Sequence, residues 1–287
     1  MVTLLGLGAA LGYGVADFLG GAASRRSSVL RVLLLGMPVG LVLLSAAAVL
    51  TTGPPTGGGL AWGLAAGLAG ATGILTFYRA LAQGPMSVVA PVSALAAAIL
   101  PVAVGTMRGE RLGATVLAGV VLCVAAIGMV SMEDGGRAGD RVTSRRLMGG
   151  GPFLAAVSGL AFGVFFTMLK EAGDGNGLWP LVASRASGVA LLLIIAVILG
   201  GRMGGGRLSG ATTLVLALFS GVLDAVGNAL YYLAAQRGML SLAAVLTSLY
   251  PAVTVLLARV VYSERLRVVQ RAGLAVAVAG VALVTLG

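Results

Sequence analysis

Three charged residues lie inside long apolar runs of this sequence: Asp17, Arg185 and Asp224. A charge at the centre of a membrane-spanning helix costs about 2.5–3.5 kcal/mol on insertion, so each calls for a partner or a function. Asp224 has the richest context. Ser220, Asp224, Asn228 and Tyr231 fall at i, i+4, i+8 and i+11, one continuous helical face. A polar stripe of that kind is expected to face a wet cavity rather than lipid. Two readings fit Asp224: it binds a cationic or amino group, or exchanges a proton against it; or it is a structural aspartate held by a neighbouring helix or by Arg185. Arg185 stands near the start of its apolar run, where its long side chain suits an anionic group, a bond to Asp224, or snorkelling to the nearby interface. Asp17 follows Tyr13 by four residues on the same face.

Other chemistry is excluded by composition. The sequence has no histidine and a single cysteine, Cys123, inside an apolar run. No intramolecular disulfide can form, and the usual zinc, haem and iron–sulfur ligand sets are missing, so no metal and no cofactor are expected. A Ser/His/Asp or Cys/His nucleophile system is ruled out. There is no Walker motif for nucleotide binding. A membrane enzyme acting on lipid would need carboxylates or bases gathered in one spot, and here they are scattered. An enzyme is not expected.

The elements that hold the three charges must be membrane helices. Of 287 residues, 59% are apolar and 10% charged, where a soluble domain carries about 25% charged residues. Mean hydropathy is +1.05. A spanning helix needs roughly 20 mainly apolar residues, and ten such stretches can be drawn: 2–22, 29–50, 59–82, 86–107, 113–132, 149–170, 178–200, 211–235, 239–261 and 268–287. The net charge of +10 does not indicate nucleic acid, because the cations stand singly or in short groups between apolar runs rather than on one solvated face. The start of the chain lacks a basic n-region, so no cleaved signal peptide is expected.

The chain also resembles itself. A shift of 154 residues aligns Tyr78 with Tyr232, Gly84 with Gly238, Ser87 with Ser241, and Glu110-Arg111-Leu112 with Glu264-Arg265-Leu266. A shorter echo aligns Leu11-x-Tyr13-Gly14-Val15 with Leu160-x-Phe162-Gly163-Val164. Equivalent spans lie five apart, and an odd number reverses direction across the bilayer. The predicted fold is therefore an all-α integral membrane protein of ten transmembrane helices, built as two inverted five-helix repeats, 1–132 and 149–287, joined by a linker at 133–148. Such repeats are a recurring transporter design, with the substrate site near the midplane where they meet. The positions matching Ser220, Asp224, Asn228 and Tyr231 in the first half are Ala66, Gly70, Ile74 and Phe77, so the cavity is expected to be asymmetric. Gly59, Gly63 and Gly67, like Gly8 and Gly12, have the spacing of close helix packing.

These residues resemble the drug/metabolite transporter superfamily, specifically proteins with two EamA-type domains. The first half carries Tyr78-Arg79-Ala80-Leu81, Ser87 to Pro91, and Gly109-Glu110-Arg111-Leu112; the second carries Ser241 to Ala244, Tyr250-Pro251 and Ser263-Glu264-Arg265-Leu266. Tyr13 to Gly21 looks like one branch of that family. The resemblance covers essentially the whole chain. It implies a multi-pass protein of a bacterial plasma (inner) membrane that moves a small metabolite or drug by alternating access, as an exporter. Proton coupling through Asp224 or Asp17 and uncoupled exchange both remain open, as does a non-transporting receptor or assembly role. The partners are a small-molecule substrate and the lipid bilayer, with no nucleic acid.

The resemblance further implies a cavity lined by helices 1, 3, 4, 6, 8 and 9, which gives Asp17 and Tyr13 a proton or substrate role. Glu110 and Glu264 open spans five and ten, where a carboxylate favours the positive helix N-terminus, a structural signature shared with Pro251. The proline's repeat counterpart is Ala97, a departure from the family pattern. Tyr78 and Tyr232 are expected to pack at span ends, and Trp179 to anchor at the interface. The family also implies a cytoplasmic N-terminus, which leaves only Arg108, Arg111, Lys170 and Arg237 in cytoplasmic loops. The greater share of the cations, including Arg25, Arg26, Arg137, Arg141, Arg145 and Arg146, then lies opposite, against the positive-inside rule.

Overall fold

A computed structural model of the chain describes residues 2–51, 53–107, 114–130, 150–172, 175–199, 210–237, 247, 250–263 and 268–286. These form helices: α1 (Val2–Ser24), α2 (Val29–Thr51), α3 (Gly57–Gln83), α4 (Met86–Met107), α5 (Ala114–Val130), α6 (Gly151–Glu171), α7 (Trp179–Leu199), α8 (Gly210–Arg237), α9 (Tyr250–Tyr262) and α10 (Val268–Leu286). An apolar solvent leaves the backbone no partner but itself, which is why such runs become helices. Six of the described helices are long and apolar enough to cross a membrane: α1, α2, α3, α6, α7 and α8. Shorter apolar stretches occupy Met86–Ala97, Tyr250–Tyr262 and Arg271–Gly280. The linker 133–148, the Glu110 and Glu264 triplets, and Ser241 to Ala244 lie outside the described residues.

Helix ends follow local chemistry. Thr56 caps α3, its hydroxyl accepting from the Gly59 N–H at 3.2 Å. Pro152 sits in the first turn of α6, where its missing N–H is no loss. Loops are tied across the bundle. Arg25 donates to the carbonyls of Leu81 (3.0 Å) and Gly84 (2.9 Å) and lies 4.6 Å over the Tyr262 ring. The buried Asn176 accepts from Thr56 and donates to Ala172, and the Trp179 indole donates to the Gly53 carbonyl at 2.8 Å. The expected interfacial tryptophan thus also clasps two loops.

Glycines set the helix crossings. Gly8, Gly12 and Ala16 of α1 meet Leu230, Gly227 and Ser220 of α8 in that order, so the two helices run antiparallel. Gly36 and Gly40 of α2 meet Gly221 and Ala225 of α8, a parallel crossing. Gly63 and Gly67 of α3 lie on Pro180 and Ser184 of α7, again parallel, while Gly70 and Gly73 meet Phe165 and Phe162 of α6, antiparallel. A Cβ on Gly221 would collide with the Gly36 backbone, and one on Gly67 with the Ser184 carbonyl. Only glycine permits backbones this close.

The crossings exchange when every helix number is moved by five: α1 with α8 becomes α6 with α3, and α2 with α8 becomes α7 with α3. Individual residues follow. Tyr13 packs on Gly227, and their sequence counterparts Phe162 and Gly73 pack on each other. Two apolar clusters fill the bundle, one around Phe18, Phe77, Leu81 and Met86, the other around Leu44, Phe165, Leu169 and Leu181. The outer surface carries large apolar side chains such as Leu50 (83% exposed) and Val197 (80% exposed), a belt that only lipid can cover.

Gly221→Val is expected to cost at least about 1–3 kcal/mol through overpacking, read as a lower unfolding temperature in detergent. Gly57→Ala, whose Cβ would meet open space, serves as the control and is expected to leave that temperature unchanged. Equal behaviour of the two variants would show that the α2–α8 crossing is looser than described.

Candidate functional site

Two helices bring opposite charges together in the middle of the bundle. Arg185 lies two turns into α7 and Asp224 at the middle of α8. The Arg185 guanidinium donates through Nη2 to Asp224 Oδ2, with side-chain exposures of only 13% and 18%. The Asp224 carboxylate is thus paired with Arg185. Arg185 reaches Asp224 rather than snorkelling away. Together they remove two lone charges from the apolar interior, where each alone would be costly.

The pair lines a narrow cleft with about 20 Å³ of space, room for little more than a water molecule. Its walls are Val32, Leu33, Gly36 and Met37 of α2, Ile74 and Tyr78 of α3, Arg185 of α7, and Ala217, Ser220, Gly221 and Asp224 of α8. Of the helices expected to line a cavity, α3 and α8 do so here, and α2 and α7 supply the other walls. The reason lies in α2 and α7 themselves, which meet α8 and α3 through glycine and leave little side chain between them.

A hydrogen-bond chain crosses the cleft. Ser220 Oγ donates to the Ala16 carbonyl at 2.8 Å and lies 2.7 Å from the Tyr78 hydroxyl. Because serine has one O–H, the tyrosine is the donor in the second bond. Tyr78 packs in the core near the end of α3, as expected, and also lines the cleft.

The polar stripe of α8 divides. Ser220 and Asp224 line the cleft; Asn228 does not, and donates through Nδ2 to the Asp224 carbonyl one turn back at 2.8 Å. Tyr231 lies against Phe166, ring centres 5.6 Å apart. Tyr13 and Asp17 stand on α1 outside the cleft. The Tyr13 ring meets Tyr250 edge-on at 6.2 Å, and its buried hydroxyl has no hydrogen-bond partner among the described residues. Pro251 is buried at the start of α9. Glu110 and Glu264 lie outside the described residues.

The two halves differ where the pair sits. The counterpart of Asp224 is Gly70, and the Phe165 ring fills the space above it. On the second-half side Ala16 stands at the sequence position corresponding to Phe165, and its carbonyl accepts from Ser220. Among the described residues no three His, Cys, Asp or Glu side chains gather as a metal site.

The sequence matches the EamA-like transporter family over residues 1–132 and 149–286. No curated protein matches it. Among 22 matching chains of solved structures, one crystal structure superposes with a TM-score of 0.67 at 18% sequence identity, covering 99% of this chain and 96% of the other. At that identity the likeness speaks to the fold alone.

Arg185→Gln leaves Asp224 buried without its cation and is expected to destabilise the protein by about 3–5 kcal/mol. Adding Asp224→Asn removes the orphan and is expected to restore most of that loss. Thermal unfolding in detergent of the two single variants and the double variant reads the coupling; additive losses would mean that the pair contributes nothing as a pair.

Proposed function

Because the chain belongs to the EamA-like transporter family, we propose that it is a secondary transporter that exports a small metabolite or drug by alternating access. It is an all-α, multi-pass membrane protein with two EamA-like regions. We read it further as ten spans in two inverted five-helix repeats. The exchange of crossings under a shift of five helices supports that reading, as does the matched packing of Tyr13 on Gly227 and Phe162 on Gly73. Reading it as a transporter rather than an enzyme follows from the family.

The observation that carries the site assignment is the Arg185–Asp224 pair facing a cleft at mid-bundle depth. Each charge of the pair satisfies the other. A solute with a charged or strongly polar group competes for one partner, and Tyr78 and Ser220 offer hydroxyls beside it. When the solute leaves, the pair re-forms, so the return step carries no lone charge through the bilayer centre. The apolar walls Val32, Leu33, Met37 and Ile74 would hold the rest of the solute.

Tracer flux into proteoliposomes across a panel of amino acids, nucleobases, sugars and cationic drugs tests the assignment. Wild type is expected to move at least one class, and Asp224→Asn to move that solute at least about tenfold more slowly, a loss of about 1.4 kcal/mol in transition-state binding. Undiminished flux in the variant would reduce the pair to a structural element.

A further inference from the structure

The two ends of the bundle carry unequal charge. Arg25 ties the end of α1 to the turn after α3 and, through the Tyr262 ring, to the end of α9. Gly84 of that turn lies against Gly151, so α6 begins at the same end. Short turns start α2 and α4 there, and α8, parallel to α2, starts there as well. At the opposite end Thr56 donates to Asn176 and the Trp179 indole to Gly53, which joins the turn between α2 and α3 to the turn between α6 and α7.

Six arginines stand at the first end among the described residues. Arg25 and Arg26 are in the turn after α1, Arg31 is in the first turn of α2, and Arg79 is one turn before the end of α3. Arg259 is in the last turn of α9 and Arg271 in the first turn of α10. All but Arg31 are exposed. No Asp or Glu of the described residues accompanies them; Asp17 is buried, seven positions before the end of α1. The linker 133–148, outside the described residues, leads into α6 at this same end and adds Arg137, Arg141, Arg145 and Arg146 by sequence. The opposite end has Arg108, Arg111, Lys170 and Arg237, interleaved with Glu110, Glu171 and Asp174, so its charge nearly cancels.

An arginine holds its charge at any pH the protein meets, and its long stem carries the guanidinium from a helix end to headgroup level. The cytoplasmic leaflet bears the anionic lipids and attracts such clusters. Short connections rich in arginine are also the ones retained in the cytoplasm as spans insert. Both effects act on the same end of this bundle.

We propose that the arginine-bearing end is a docking surface for the anionic phospholipid headgroups of the cytoplasmic leaflet, and that it sets the chain with the start of α1 on the other side of the membrane. This is the reverse of the orientation that the family resemblance implies, and it does not depend on which solute the protein moves. The Arg25 clasp then lies on the cytoplasmic side and the Trp179 clasp on the outer side.

Two measurements test this. Both Gly57 and Gln83 are exposed, at opposite ends of α3. In intact bacterial cells expressing the protein with Cys123→Ala, a membrane-impermeant maleimide is expected to label Gly57→Cys. It is expected to reach Gln83→Cys only after the membrane is permeabilised. Gly58→Cys and Pro85→Cys repeat the comparison should either variant fail to fold. The reverse pattern, or labelling of both ends in intact cells, overturns the proposal. In vesicles of neutral phosphatidylcholine, adding phosphatidylglycerol is expected to raise the unfolding temperature, and high salt to shrink that gain. The triple variant Arg26→Gln, Arg79→Gln, Arg259→Gln is expected to lose most of the gain, and Lys170→Gln to retain it. No gain in wild type, or an equal gain in the triple variant, overturns the lipid contact and turns the search to a soluble acidic partner.

Discussion

Charge in the middle of a bilayer needs company, and the bundle is arranged around that requirement. Arg185 and Asp224 come from different helices, α7 and α8, which cross α3 and α2 closely at glycines. Around the pair, Tyr78 and Ser220 complete the polar lining while the α2 wall stays apolar. A site of this kind can bind a solute by exchange of partners, with no step in which an ion is stranded in the apolar interior.

The internal duplication supplies the means of moving such a site. The same kind of parallel crossing occurs twice, once as α2 on α8 and once as α7 on α3. A protein whose halves can adopt each other's arrangement has two conformations of similar energy available, which alternating exposure of one site requires. The chemistry is less symmetric than the scaffold. Phe165 covers Gly70 in one half, while the counterpart of Gly70 in the other is Asp224, paired with Arg185.

Much of the scaffold is legible in the residues themselves. The apolar runs mark the helices, and the shared Tyr and glycine positions mark the duplication, because both depend on local composition and spacing. The three buried charges are visible for the same reason. Which of them meet is not. Arg185 and Asp224 lie 39 residues apart on different helices, and no periodicity reports their pairing. The stripe through Ser220, Asp224, Asn228 and Tyr231 is a single helical face as spacing requires, yet only its upper half reaches the cleft, because Phe166 and the α8 backbone take up the lower half. For Tyr78, a place near a helix end fits packing alone and a cleft-lining role equally well. Only the position of Ser220 on a neighbouring helix distinguishes the two.

The most direct test of the account is whether the cleft is reached from both sides of the membrane in turn. With Cys123 replaced by alanine and Ile74, a cleft-lining residue, replaced by cysteine, a membrane-impermeant maleimide is applied from the inside or the outside of sealed vesicles. The account predicts labelling from either side, with a transported solute shifting the balance between them. Labelling from one side only, unchanged by any solute that the protein moves, would contradict it.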